Sequence, residues 1–295
     1  MNFGQLLTAM VTPFDQEGKV DFQATNSLIN YLIATGTEGI VVAGTTGESP
    51  TLTTQEKTEL FKYVVEVVDG RVPVIAGTGS NNTVASIELT KIASSVGVDG
   101  IMLVVPYYNK PSQEGLYQHF KTIAESTELP VMLYNIPGRS AVNMLPETII
   151  RLAQIENIVC IKEASGDLEA IANIIQHTPE DFLVYTGDDS LTLPLMSIGG
   201  YGVVSVASHV VGLEMKQMIT AFQNGEYKQA AQMHRNLLPI MKSMFIAPNP
   251  TPVKAALEML GQNVGSVRLP LVPLTLEETQ IVHSALEPKI LSSAV

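Results

Sequence analysis

Lys162 has the most chemistry to offer, because it stands where a lysine does not belong. It interrupts residues 158–165, Ile-Val-Cys-Ile-Lys-Glu-Ala-Ser, a short apolar, β-branched run that stops at Gly166-Asp167 and predicts a buried strand. Side chains alternate along a strand, so Lys162 is expected to share a face with Ile158, Cys160 and Ala164. Of the twelve lysines, the other eleven read as lying on polar helix faces, in loops or in the tail. An ammonium in an apolar wall is costly unless it is paired or loses its proton. A lysine whose pKa falls on burial is the usual amine nucleophile toward a carbonyl compound, through a Schiff base. The competing reading is a lysine at the strand mouth that snorkels to water or pairs with Asp188 or Asp189. The strand alone does not choose between the two.

Two other stretches carry groups suited to such a reaction. Gly44-Thr45-Thr46-Gly47-Glu48-Ser49 combines two glycines, three hydroxyls and exposed backbone N–H groups, which suits a carboxylate or phosphate; a Gly/Thr turn before a helix is also common without any ligand. Leu133-Tyr134-Asn135-Ile136-Pro137-Gly138-Arg139 closes another apolar run with a phenol and a guanidinium. Tyr134 could equally be a core tyrosine with a satisfied hydroxyl.

Positioning these groups falls to eight strand-like runs, at 7–11, 39–43, 73–77, 100–105, 131–135, 158–164, 182–186 and 202–207. Amphipathic segments of helical period separate them, for example 23–34, 54–68, 83–96, 112–126 and 146–153. Thr53-Thr54-Gln55-Glu56 has capping-box character, and Leu145-Pro146-Glu147 puts proline near a first turn. Strand–helix alternation implies a parallel sheet with right-handed crossovers. Eight apolar strands with no polar edge predict a (β/α)8 TIM barrel rather than an open sheet. After the eighth strand come helical segments alone, at 212–224, 227–245, 252–260 and 276–285. The division expected is a barrel over 1–224 and a C-terminal helical appendage over 225–295, with Ala247-Pro-Asn-Pro-Thr-Pro252 as a stiff connector. In such barrels function sits at the C-terminal strand ends. Tyr134 and Lys162 then end neighbouring strands, about 5 Å apart at the backbone, and Thr45 and the turn Tyr107-Tyr108 join the same mouth.

Composition limits the partners. The 295 residues are 45% hydrophobic and 16% charged, which is globular. A net charge of −12 opposes binding to nucleic acid or anionic membranes. One cysteine, Cys160, allows no intrachain disulfide and fits a reducing cytoplasm. The first ten residues lack the pattern of a signal peptide, and no apolar run is long enough to span a bilayer. Gly77-Thr-Gly-Ser-Asn81 lacks the third glycine of a dinucleotide loop, no Gly-x-Ser-x-Gly elbow occurs, and the five histidines lack zinc-ligand spacing. Asp188-Asp189 reads as a capping or solvated pair rather than a metal site.

Gly44-Thr-Thr-Gly-Glu-Ser49, Tyr134-Asn-Ile-Pro-Gly-Arg139 and Ile161-Lys-Glu-Ala-Ser165 resemble the signatures of the dihydrodipicolinate synthase / N-acetylneuraminate lyase superfamily of class I aldolases. The likeness runs from Thr8 to about Leu274. It implies that Lys162 condenses with the keto group of pyruvate, so that the covalent imine replaces any cofactor or metal. Tyr134 would relay protons, and Thr45 would link it to Tyr108, which in the family enters a neighbouring subunit's site. Thr46 would hold the pyruvate carboxylate, and Gly187 and Val204 would line the pocket through backbone groups. Arg139 would take the carboxylate of aspartate semialdehyde, since a guanidinium matches it bidentately. The partners implied are these two substrates and further copies of the chain, as a dimer of dimers. A sialic acid lyase or keto-deoxy-sugar aldolase is the nearest rival, which Arg139 disfavours because those substrates offer hydroxyls there. A non-catalytic ligand-binding barrel would be expected to have lost Lys162 or Tyr134.

The resemblance also bears on regulation by lysine. Sensitive relatives bind that amino acid near the residue matching Tyr107, and Ser49, Asn81 and Tyr107 are kept here. Thr54 and Lys57 stand where those relatives carry histidines, and Ala85 where they carry a glutamate. A carboxylate about 6 Å from an ammonium supplies roughly 3 kcal/mol of gross attraction at an effective dielectric of about 20. Its loss predicts an enzyme that lysine does not inhibit, unless Glu88, one turn from Ala85, replaces it.

Overall fold

The computed structural model describes residues 3–293; Met1 and Asn2, part of the stretch read for a signal peptide, lie outside them, as does the side chain of Lys289. Eight strands close into a parallel barrel in sequence order: β1 (Leu6–Ala9), β2 (Gly39–Val42), β3 (Val74–Gly77), β4 (Gly100–Val104), β5 (Val131–Asn135), β6 (Ile158–Glu163), β7 (Leu183–Thr186) and β8 (Gly202–Ser205). The ring closes where Leu7 of β1 meets Val204 of β8. The helices in chain order are α1 (Phe22–Ala34), α2 (Thr54–Val68), α3 (Thr83–Ser95), α4 (Gln113–Ala124), α5 (Pro137–Ser140), α6 (Pro146–Leu152), α7 (Leu168–His177), α8 (Thr192–Ser197) and α9 (Ser208–Gln223). Then follow α10 (Tyr227–Ser243), α11 (Thr251–Met259) and α12 (Leu276–Ser293), with no strand among them.

Local chemistry explains where these helices begin. Thr53 and Glu56 form the expected reciprocal capping box on α2, while Asp21, Asn82, Ser112 and Asp167 cap α1, α3, α4 and α7 with side-chain oxygens. Helix α9 starts four residues earlier than its apolar period predicts, because a non-helical Val211 joins a short first turn to the main helix.

Alternation along each strand builds two cores. Leu7, Val41, Ile75, Met102, Met132, Cys160, Tyr185 and Val204, one from each strand, fill the barrel interior. The alternate residues, such as Leu6, Ile40, Val74, Leu103, Leu133 and Val184, pack outward against the helices. Strands buried on both faces must be apolar throughout, which is why the sequence shows eight apolar runs. No helix among the described residues is long and apolar enough to cross a membrane.

Candidate active site

Strand β6 departs from simple alternation at one point. Val131 pairs with Ile158 but the next residue, Met132, pairs with Cys160, so Val159 is an extra residue in a bulge. The bulge turns Ile158 outward into the barrel–helix layer with Ile161, while Cys160 stays inside. Lys162 therefore shares its face with Cys160 and Ala164 and not with Ile158, correcting the expectation from a regular strand.

Lys162 is 5% exposed and sits in register with Tyr134 on β5 and Tyr185 on β7. Its Nζ lies 4.2 Å from the centroid of the Tyr134 ring, whose electron-rich face favours a cation. Among the described residues it has no ion-pair partner. The two aspartates that could have paired with it are used elsewhere. Asp188 Oδ1 accepts from the backbone N–H and hydroxyl of Ser190. Asp189 is buried, not solvated, and its Oδ2 accepts from the N–H groups of Val206 and Ala207, tying the loop after β7 to the loop after β8.

Gly187 shows why no larger residue fits beside the lysine. A Cβ there would lie 2.8 Å from Lys162 Cε and 2.8 Å from Ala164 Cβ. The Lys162 stem thus runs over bare backbone, fixed by a hydrogen bond from Gly187 N–H to the Glu163 carbonyl. On the other face of β6, Glu163 accepts from Asn135 Nδ2 and Ser165 N–H, and Asn135 also receives the Met144 N–H. Burial raises the Glu163 pKa against these bonds. This network locks together the ends of the strands that carry Tyr134 and Lys162. Burial pushes the Cys160 thiol up, which keeps it unreactive.

A cavity of about 290 Å³ opens at this rim. Thr45, Tyr134, Arg139 and Tyr107 line it together with Gly44, Gly77 and Met102. Arg139, on the single turn α5, is exposed and free to meet a ligand entering from solvent. Lys57, Ser49 and Ser80 form the outer wall, and burial lowers the Lys57 pKa. Tyr108 is not part of this lining: it is 90% exposed with a left-handed φ of 75°. Thr45 makes no side-chain hydrogen bond to Tyr134 or Tyr108 among the described residues. Thr46 is buried outside this lining with its hydroxyl bonded to Asn249, and Val204 contributes its side chain to the packed interior.

Four residues join the site that sequence reasoning passed over. Glu48, with a left-handed φ of 55°, is buried and ion-paired at 2.8 Å to Lys254, which is buried as well. Lys254 is thus not one of the surface lysines it was read among. Arg268 donates its N–H to Glu48 Oε2 and its guanidinium to Glu56, and Asn249 bonds to Thr46. The connector and the helix after it therefore brace the turn after β2. Among the described residues no group of His, Cys, Asp and Glu converges as a metal site.

A closed parallel barrel that gathers a buried lysine, a tyrosine and a Gly/Thr turn at the C-terminal ends of its strands has the architecture of a barrel enzyme. The chain belongs to the Dihydrodipicolinate synthetase family, whose model matches residues 2–289. It is 64% identical over 287 residues to the 4-hydroxy-tetrahydrodipicolinate synthase of Bacillus subtilis, covering 97% of this chain and 99% of that one. A crystal structure of a dihydrodipicolinate synthase from Bacillus anthracis superposes with a TM-score of 0.96 at 62% identity, covering 97% and 98% of the two chains. The enzyme of Cyanidioschyzon merolae, solved with lysine bound, gives a TM-score of 0.95 at 49% identity and covers 97% of each chain.

Proposed function

We propose that the chain condenses pyruvate with L-aspartate 4-semialdehyde to give 4-hydroxy-tetrahydrodipicolinate, on the route to diaminopimelate and lysine. The observation that carries this reading is a buried Lys162, without an ion-pair partner among the described residues, lying against the ring of Tyr134. The Lys162 amine attacks C2 of pyruvate and water leaves, forming an imine. Loss of a C3 proton gives the enamine, whose carbon attacks the aldehyde of the semialdehyde. Tyr134 donates a proton to the alkoxide that forms and shuttles the others. The semialdehyde's amine then displaces Lys162 from C2, closing the ring and freeing the enzyme. Thr46 and nearby N–H groups take the pyruvate carboxylate, with Gly187 and Val204 presenting backbone groups beside it. Arg139, exposed at the cavity entrance, takes the second carboxylate. The imine supplies the electron sink, so no cofactor is assigned, and the acidic chain with its one buried thiol is placed in the cytoplasm.

The test is a coupled assay with pyruvate plus aspartate semialdehyde, run beside N-acetylneuraminate, together with borohydride reduction in pyruvate. The reading requires turnover of the first pair and a single three-carbon adduct on Lys162; cleavage of N-acetylneuraminate instead would assign a lyase.

Gly187→Ala is expected to lower turnover about a hundredfold, the scale of a 1 Å misplacement of a reacting group, because the new methyl must displace the Lys162 stem. Initial-rate kinetics check this, and an unchanged rate would show that the stem has room to move.

Assembly follows from Tyr108, which a lone barrel leaves at the surface. A pair of barrels that exchange this tyrosine is the minimum unit, and two such pairs form the tetramer. Sedimentation at assay concentration decides it: a fully active monomer excludes a role for Tyr108 in trans.

Lysine is expected not to inhibit. The outer wall of the cavity carries the Lys57 ammonium, while Ala85 and Glu88 are exposed on α3 and do not line it. A cationic effector there meets repulsion without a carboxylate to offset it. A titration of initial rate to about 1 mM lysine, the range of weak binding, should leave the rate unchanged; strong inhibition at lower concentration would reveal a lysine site built from other residues.

A further inference from the structure

The residues that hold the Thr45–Glu48 turn lie some two hundred positions later in the chain. Asn249, buried in the proline-rich connector, donates from Nδ2 to Thr46 Oγ1 at 2.9 Å. That bond occupies an acceptor site of the hydroxyl and leaves its own hydrogen free to donate. Two residues on, the strained left-handed backbone of Glu48 is held by an ion pair and a hydrogen bond to its carboxylate. Lys254 Nζ reaches Oε1 at 2.8 Å and Arg268 N–H reaches Oε2 at 2.9 Å. Lys254 is itself fixed, donating to the Ser266 carbonyl and lying 4.2 Å from the Phe14 ring centroid.

We propose that Asn249 is a positioning residue: it sets the Thr46 hydroxyl as a hydrogen-bond donor to the substrate carboxylate, on a turn that the Glu48–Lys254 pair keeps in place. This rests on the reading of Thr46 under the proposed function. An anionic ligand accepts and cannot donate, so a threonine whose proton pointed to another acceptor would meet it lone pair to lone pair. An amide beside the hydroxyl, rather than a carboxylate or carbonyl, supplies a donor and prevents that arrangement. The role makes a specific demand on substitutions. Asn249→Asp keeps the shape but offers only acceptors when ionised, so it draws the Thr46 proton away and adds a like charge near the carboxylate. Asn249→Ala removes the bond outright.

The experiment measures kcat, the pyruvate KM, and the pyruvate concentration for half-maximal borohydride trapping. It compares the unmodified protein with Asn249→Asp, Asn249→Ala, Thr46→Val and the pair Thr46→Val/Asn249→Ala. Both Asn249 variants should raise the KM and the trapping midpoint together by roughly tenfold to a hundredfold, the scale of a lost bond to a charged group. Their kcat at saturating pyruvate should fall far less, and the double variant should be no worse than Thr46→Val alone. Asn249 variants with an unchanged KM, a loss confined to kcat, or effects that multiply in the double variant would each overturn the proposal. Should Asn249→Ala fail to fold, Asn249→Leu, close in size and without a polar group, replaces it in the double variant, where multiplication has the same meaning. If the unmodified protein is not trapped with pyruvate at all, the proposed function fails and this role with it. If it is trapped on Lys162 while the Asn249 variants keep its midpoint, the positioning role alone fails.

Discussion

Lys162→Ala is expected to lower turnover by at least about three orders of magnitude, a loss of roughly 4 kcal/mol of transition-state stabilisation, and to abolish borohydride trapping. No other lysine can take over, because the strand fixes the amine beside Tyr134, and Lys57, which lines the cavity, is carried by α2 instead. Lys162→Arg should be as inactive, since a guanidinium keeps the charge and the stem but does not lose its proton to act as a nucleophile. This separates loss of the nucleophile from loss of a buried cation. Steady-state rates, with mass spectrometry of the reduced protein, check both variants; near-normal turnover in either would end the Schiff-base reading.

The second large effect falls on stability. Lys254→Met should destabilise the fold by about 3–5 kcal/mol, because it strands the Glu48 carboxylate in a site with almost no access to water. The double variant Glu48→Gln/Lys254→Met should recover much of that loss, since no charge then remains buried. Urea unfolding at constant slope measures both. The pH dependence has a definite sign. Burial lowers Lys254 to about 8 from the usual 10.5, against the attraction of Glu48. Between those values the unfolded chain holds a proton that the folded one has released, so this group's contribution to stability rises with pH across that window and is flat below it. A Lys254→Met protein as stable as the unmodified one would show that Glu48 has another source of compensation.

How much of this was legible in the sequence varied with the distance between partners. Lys162 stood out because an ammonium breaks an apolar run, a signal confined to eight residues. The strand order followed from apolar runs alternating with capped helices, each again a local pattern. The Val159 bulge left no such mark: Ile-Val-Cys-Ile is equally apolar whichever side chain turns outward, and only pairing with Val131 and Met132 fixes it. Lys254 reads as one more helical lysine until Glu48, two hundred residues earlier, is brought against it. Asn249, between two prolines, reads as part of a stiff linker for the same reason. Residues whose partners are remote carry no local imprint, and here those are the ones that hold the turn after β2.

That separation has a consequence for how the enzyme is made. A ribosome emits the chain from its first residue at about 5–20 residues per second. All eight staves of the barrel have been synthesised once Ser205 is added, and β8 can join β1 when it clears the ribosome. The grip on Glu48 and Thr46 does not exist at that moment, because Asn249, Lys254 and Arg268 are still to come. A nascent or prematurely terminated chain ending between those points carries every strand of the barrel but none of the residues that hold this turn. Catalytic competence therefore arrives with the last quarter of translation, after the architecture that carries it.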